Sequence, residues 1–314
     1  MDIKNTIAVF GANGFIGSAI LQTIIAEPGY RNVLGVVRSD SARKSLAPFG
    51  ASVVITPDYE QEAIFKTLRQ HQVDVVVYTI GTIGRDKEAM NDANYEILKR
   101  CVSAAEQTGV RHLIYFSGLG VSQYGIKEWA TNMYFRTKHL GEQILQKSDL
   151  THTILRPTYV FGPETGIISK IIEAIQYGTY KYVDRRERPF RPIWIDDVVT
   201  AVRKLCENVY ANENLENRTY DLVGPEALTL PELVTRVFQL MKVRNLDRVN
   251  SIAFPTLNPL SLHDASEILE LSQSQLGVSL CDVVGDPISL TQNLNFRLTP
   301  LTRAIEACIS GHFA

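Results

Sequence analysis

Residues 6–10 form a short apolar strand candidate that runs straight into Phe10-Gly11-Ala12-Asn13-Gly14-Phe15-Ile16-Gly17 and then into a helical stretch at 15–26. This glycine triplet, set in a strand-to-helix turn, constrains the fold more than any other feature. Small residues let the backbone come close to a ligand. The helix N-terminus behind them offers unpaired N–H groups and a partial positive charge, which suits a phosphate. Gly17 falls in the first turn of the helix, where the absence of a side chain lets helix press on strand. Three glycines alone can also make an ordinary turn. Their place in the first βα unit favours a cradle for a dinucleotide pyrophosphate, with Gly11, Asn13, Gly14, Phe15, Ile16 and Gly17 around it.

The chain continues in the same alternation. Strand candidates lie at 33–37, 52–55, 73–78, 111–116 and 153–155, with helical stretches between them at 41–48, 60–70, 87–107 and 132–147. The strands are rich in Val and Ile without strict alternation, as expected for strands buried on both faces. Alternating β and α then predicts an α/β fold, a Rossmann-type doubly wound parallel sheet. After residue 156 the pattern changes. Helical pieces are expected near 167–177, 196–208, 229–241, 261–272 and 298–310, and short β runs near 192–195 and 219–222. The expected organisation is a nucleotide-binding domain over 1–160 and a smaller mixed C-terminal lobe over 161–314, packed at the sheet edge where open α/β sheets bind ligands, the two forming one integrated unit whose chain can cross between lobes.

The 314 residues are 45% hydrophobic, enough for a large core, and carry a formal net charge of −2. Without a basic surplus, nucleic acid is a poor partner. No apolar run approaches the roughly 20 residues of a membrane span, so a cytoplasmic protein is expected. The four cysteines (Cys101, Cys206, Cys281, Cys308) show no paired spacing and read as reduced core thiols. The six histidines are scattered, so no metal is assigned.

The second strand ends at Arg38, with Arg43 and Lys44 close behind and Asp40 two residues on. A basic residue at this tip accommodates the 2′-phosphate of NADP, whereas an acidic one would bind the ribose hydroxyls of NAD. NADP(H) is therefore expected over NAD(H). Tyr134 and Lys138 are four apart on a predicted helix and share a face. A lysine cation favours phenolate and would lower a tyrosine pKa from about 10, fitting the phenol for proton transfer to a carbonyl. Tyr95/Lys99 and Tyr177/Lys181 have the same spacing, but only Tyr134 follows the fifth strand, beside the expected cofactor. Ser117, at the tip of that strand, is the candidate to polarise a substrate oxygen, with Ser122 as its competitor and a loop-capping role as the alternative.

Together these residues resemble the short-chain dehydrogenase/reductase superfamily, in its extended and atypical, epimerase/dehydratase-like branch. The resemblance spans most of 6–225. It rests on the glycine loop, Ser117 and Tyr134-x-x-x-Lys138 with Gly141-Glu142. It continues through Leu155-Arg-Pro-Thr-Tyr-Val-Phe-Gly-Pro163, Pro192-Ile-Trp-Ile-Asp-Asp-Val198 and Tyr220-Asp-Leu-Val-Gly224-Pro-Glu. It implies that Gly11, Gly14 and Gly17 hold pyrophosphate, Arg38 the 2′-phosphate, Asp58 the adenine, and that Gly81 lines the cofactor. It further implies that Lys138 binds the nicotinamide ribose and assists Tyr134, that Ser117 polarises substrate, and that Pro157 and Thr158 border the nicotinamide. Tyr159, Phe161 and Arg191, the last of a basic cluster with Arg185, Arg186 and Arg188, are implied near substrate. The stretch from Ser117 to Tyr134 is shorter than extended members usually show. The loop Tyr78-Thr-Ile-Gly81-Thr-Ile-Gly84 lacks their usual asparagine–alanine–glycine.

The expectation is a monomeric or homodimeric NADP(H)-dependent oxidoreductase acting on a small-molecule carbonyl or alcohol. The alternatives are a non-catalytic NADP(H)-binding sensor or assembly subunit, or a sugar-nucleotide epimerase/dehydratase.

Overall fold

The computed structural model describes residues 6–27, 32–163, 165–177, 180–184, 188–211, 216–242, 249–253 and 272–312, with the backbone alone given for 176–177, 180–184 and 249–253. Its centre is a parallel sheet of seven strands: β1 (Thr6–Phe10), β2 (Asn32–Val37), β3 (Ser52–Ile55), β4 (Val75–Tyr78), β5 (His112–Phe116), β6 (His152–Pro157) and β10 (Arg218–Leu222). The order is β10-β6-β5-β4-β1-β2-β3, so the chain reverses direction between β1 and β4. Such a switch point opens a crevice at the carboxyl ends of the strands.

Both faces of the sheet are buried. Ile7 and Val9 point into one core with Ile20, Leu21 and Ile24 of α1 (Phe15–Ala26) and with Val198 and Val202 of α8 (Ile195–Tyr210). Ala8 and Phe10 point into the other, with Ile64 and Leu68 of α3 (Gln61–Gln70) and with Leu98 and Cys101 of α5 (Ile97–Thr108). This double burial is why the strands read as unbroken apolar runs. The remaining first-half helices are α2 (Asp40–Leu46), α4 (Lys87–Asn91) and α6 (Met133–Lys147).

Three features add detail to the expected organisation. The predicted helix at 87–107 contains a π-helical turn at Asp92–Glu96 between α4 and α5. The strand β10 comes from the second half of the chain and completes the first-half sheet beside β6. The second half also builds two small parallel ladders: β7 (Val160–Phe161) with β9 (Ile193–Trp194), and β8 (Tyr180–Asp184) with β11 (Val249–Ala253). Helices α7 (Ile167–Tyr177) and α9 (Leu230–Leu240) fall as expected, and short helices Gln273–Ser279 and Pro287–Asn293 precede the C-terminal Leu301–His312. The expected helix at 261–272 lies outside the described residues but for Ser272, which caps Gln273–Ser279. Among the described residues no helix is long and apolar enough to cross a membrane.

The join of α1 to the sheet depends on Gly17. A Cβ there would lie 2.2 Å from the Gly11 carbonyl oxygen and 2.8 Å from Thr79 Oγ1. Because the obstructing atom is backbone, Gly17→Ala is expected to destabilise the protein by about 1–3 kcal/mol, read as a lower urea midpoint. Gly84→Ala, where a Cβ meets nothing within 4 Å, is the control and should leave the midpoint unchanged.

Candidate active site

The crevice begins at the glycine turn. Gly11 takes φ +79°, a left-handed conformation suited to glycine, and a Cβ would press on Thr79 Oγ1 at 2.9 Å. Gly14 N–H donates to the Gly11 carbonyl at 2.9 Å, which closes the turn. Thr79 Oγ1 donates to the Phe10 carbonyl at 2.7 Å and ties the end of β4 to the end of β1. Gly14 sits at the N-cap of α1, no side chain caps the helix, and its first turn holds no acid. The first amide N–H groups of such a helix have no intrahelical partner. The cradle therefore suits an anion that brings its own acceptors, and a pyrophosphate fits it.

A cleft of about 740 Å³ opens in front of this turn, with Asn13, Arg38, Tyr59, Gly81 and Thr82 among its walls. Arg38 is exposed and makes no ion pair with a described residue, whereas Lys44 and Arg43 both pair with Asp40, Lys44 at 3.1 Å. Lys44 first, then Arg43, holds the Asp40 carboxyl below the usual carboxylate range. The one acid near this strand tip is thus committed to its own helix, and Arg38 remains to face the cleft. Asp58 is exposed, in a turn with φ +47°, and the neighbouring Tyr59 lines the cleft in its place. Burial pushes the Tyr59 phenol up to about 12, opposed by the charge of Arg38.

At the other end the cleft meets α6. Lys138 is buried and its Nζ donates to the Phe116 carbonyl at 2.8 Å. A Cβ on Gly81 would come within 2.9 Å of that nitrogen, so glycine at 81 leaves room for the ammonium. The Tyr115 ring lies 5.2 Å below it. Burial pushes the Lys138 ammonium down to about 8, with Glu142 opposing. The Tyr134 hydroxyl is turned toward Gly118, 3.2 Å from where a Cβ there would sit. Burial, with a smaller contribution from Cys281, pushes its phenol up to about 12. The expected lowering of this phenol by Lys138 is therefore reversed. The ammonium is anchored on the Phe116 carbonyl, and loss of water sets the direction at the phenol.

Ser117 does not face the crevice as expected. It is buried, and its Oγ donates to Glu142 Oε1 at 2.6 Å. Glu142, one turn beyond Lys138, accepts two hydrogen bonds from Arg156, from Nε at 2.9 Å and Nη2 at 2.6 Å. A charged acceptor with a fixed partner is a stronger draw for the hydroxyl than an open cleft. Ser122 donates to the Leu119 carbonyl within its own turn.

Beyond Tyr134 lies a small chamber of about 100 Å³, bordered by Pro157, Thr158 and Tyr159 as the sequence suggests. Phe161 and Arg191 are not part of it. Phe161 is fully buried against Trp194 because β7 turns it into the main core. Arg191 Nη1 donates to the Pro225 carbonyl at 2.7 Å, which holds the guanidinium on its own loop. Arg185 and Arg186 lie outside the described residues. Of the competing pairs, Tyr95 falls in the π-helical turn with Lys99 exposed, and neither lines the cleft or the chamber. Tyr177 ends α7 while Lys181 lies in β8, so that pair shares no helix. Their side chains lie outside the described residues.

The sequence reading missed Asn94. It is fully buried, its Oδ1 accepts from Thr82 N–H at 2.8 Å, and its Nδ2 donates to the Thr82 carbonyl at 2.9 Å and to Thr137 Oγ1 at 3.1 Å. It fixes the loop after β4 against α6, next to Lys138, from inside the π-helical turn. Such turns are frequent at functional sites. The available signal was a buried-register asparagine in an otherwise amphipathic helix. Cys281 was also misread. Cys101, Cys206 and Cys308 are buried core thiols, but Cys281 is partly exposed and lines the chamber.

The family model for NAD(P)H-binding proteins matches residues 11–176. The chain belongs to this NAD(P)H-binding family. An uncharacterized sugar epimerase of Bacillus subtilis is 28% identical over 222 residues, covering 68% of this chain and 92% of that protein. The ceramide reductase of Caulobacter vibrioides is 26% identical over 166 residues, covering 52% of this chain and 48% of its own length. The crystal structure of UDP-glucose 4-epimerase from Thermotoga maritima with UDP-glucose superposes with TM-score 0.75 at 17% identity, covering 98% of each chain. The last comparison shows the shared fold.

The Ser117–Glu142–Arg156 cluster makes its own prediction. The Glu142 side chain is 3% exposed and that of Arg156 20%. Removing one partner of such a pair strands the other. Glu142→Leu is expected to cost about 3–5 kcal/mol, measured by chemical denaturation. Adding Arg156→Leu to it should recover part of the loss.

Proposed function

We propose that this protein is an NADP(H)-dependent reductase of small-molecule carbonyl compounds, with Tyr134 as proton donor and Lys138 as its cationic neighbour. The observation that carries this reading is the placement of two hollows along α6. The cleft runs from Arg38 past the glycine cradle to Gly81, against which Lys138 Nζ is packed, and the chamber at Tyr134 lies one helical turn away.

The cradle amides at Phe15 and Ile16 receive the pyrophosphate, and Arg38 receives the 2′-phosphate, with Asp40 engaged by Arg43 and Lys44. Lys138 and Gly81 border the ribose, and Pro157 and Thr158 the nicotinamide. When bound, the nicotinamide supplies the hydride. Tyr134, whose phenol stays protonated far above neutrality, donates a hydrogen bond to the substrate oxygen and then its proton as the carbonyl becomes an alkoxide. Lys138 offers the nearest cation to stabilise the phenolate left behind until solvent reprotonates it. Ser117 holds Glu142, which in turn favours the protonated form of Lys138. A reducing, cytoplasmic setting fits four cysteines that form no disulfide, and the acting unit is a monomer or homodimer. A sugar-nucleotide epimerase is the second reading, supported by the names of the Bacillus and Thermotoga relatives.

Following NADPH absorbance with a carbonyl panel tests the assignment. Tyr134→Phe should lower turnover by about 10²–10⁴-fold and leave NADPH affinity unchanged. Activity that survives this change removes Tyr134 from the chemistry. Arg38→Ala should weaken NADPH binding roughly 10- to 100-fold, the worth of a charged hydrogen bond, and leave NADH binding unaltered. The Lys138 ammonium is protonated below about 8, so kcat/KM should fall as pH rises through that value. In Lys138→Arg, which stays charged, the same limb should vanish; a limb that persists belongs to another group.

A further inference from the structure

The chamber beyond Tyr134 carries chemical information that the cofactor cleft does not. Its walls are Leu119, Phe135, Pro157, Phe190, Val278 and Val283, closed by the segment that follows helix Gln273–Ser279. That helix is drawn onto α6 at Gly277, where a Cβ would lie 2.2 Å from Asn132 Nδ2. The polar side chains at the chamber are few. Tyr134 is reserved for the reacting oxygen. Tyr159 Oη donates to the Val278 carbonyl at 3.5 Å. Thr158 and the Cys281 thiol complete the set. Ser117, which could have added a hydroxyl, is turned into the Glu142 cluster.

Cations are missing from this lining too. Arg188 Nη1 donates to the Leu280 carbonyl at 2.8 Å, and Arg191 is held by the Pro225 carbonyl. Among the described residues none of the chamber walls is charged. A hexose would bring several hydroxyls here, each costing about 1–3 kcal/mol if buried without a partner. A diphosphate would meet no counter-charge among the described residues of this lining. An alkyl or aryl group has no such cost and gains by burial.

We infer that this chamber takes the apolar arm of a small ketone or aldehyde, and that Cys281 lies against that arm as a specificity-determining residue. The inference rests on the reductase reading, in which the nicotinamide borders the Pro157–Thr158 edge and the arm lies against Leu119, Phe190, Val278, Cys281 and Val283 on the opposite side. It narrows that reading to substrates whose reacting carbonyl carries an alkyl or aryl substituent. It argues against a nucleotide sugar at the same place.

Cys281 supplies a readout that needs no turnover. It is the one cysteine that is not fully buried among the four, so N-ethylmaleimide should label it first, as mapped by mass spectrometry and by loss of the label in Cys281→Ser. The experiment measures this labelling rate in NADPH-saturated protein with 2-alkanones of increasing chain length and, separately, with UDP-glucose. Turnover of the same compounds is followed in parallel. The expected result is protection that strengthens with chain length, with kcat/KM rising roughly fourfold per methylene until the chamber is full, and no protection by UDP-glucose. Protection by UDP-glucose, its conversion in preference to the ketones, or labelling and turnover indifferent to chain length would overturn the inference. Failure of NADPH to bind, read separately by its fluorescence, would instead count against the reductase reading. The labelling series run without nucleotide would then still score the chamber.

Discussion

The contact between α1 and the end of β1 is the constraint on which the rest of the structure depends. Gly17 lies so close to the Gly11 carbonyl that a methyl group would not fit between them. This closeness aims the front of α1 at the crevice and leaves its first amides without side-chain competition. The switch in strand order between β1 and β4 opens the crevice at the same place. Thr79, at the end of β4, ties the two strands together by bonding the Phe10 carbonyl. Phosphate affinity here is a property of backbone packing, and the side chains of the turn mainly avoid obstructing it.

The chemistry at the far end of the crevice is set by burial working against charge. Tyr134 and Lys138 share a face of α6, yet dehydration moves the phenol up and the ammonium down. Each is thereby held closer to its neutral form. Glu142 counters this at Lys138. It is fixed in place by two hydrogen bonds from Arg156 and one from Ser117. The helix thus carries a phenol, a cation and its countercharge at successive turns. Asn94, reaching from the π-helical turn, locks the Gly81–Thr82 loop beside them.

Much of this arrangement was legible in the sequence because local physics dictates it. The glycine spacing, the doubly buried strands and the i, i+4 placement of Tyr134 and Lys138 each follow from backbone periodicity. Features that depend on a partner distant in sequence were not legible. Ser117 could be placed at the tip of β5, but its direction was decided by Glu142, twenty-five positions along. Arg191 was captured by carbonyls of a loop more than thirty residues away. Phe161 looked available in its motif and was claimed by Trp194 and the main core. Cys281 resembled any other lone thiol until the second lobe folded it over Tyr134. Position along the chain located the glycine turn and the Tyr134–Lys138 helix, and tertiary packing decided what surrounds Tyr134.

The central claim is that a dinucleotide lies along this crevice with its phosphates on the front of α1 and its nicotinamide beside Tyr134. A crystal structure of the protein grown with NADPH tests it most directly. The account predicts pyrophosphate density within hydrogen-bonding distance of the Phe15 and Ile16 amides, the 2′-phosphate against Arg38, and the nicotinamide ring between Thr158 and Tyr134. NADPH bound elsewhere, or bound in the crevice with its phosphates away from α1, would contradict it.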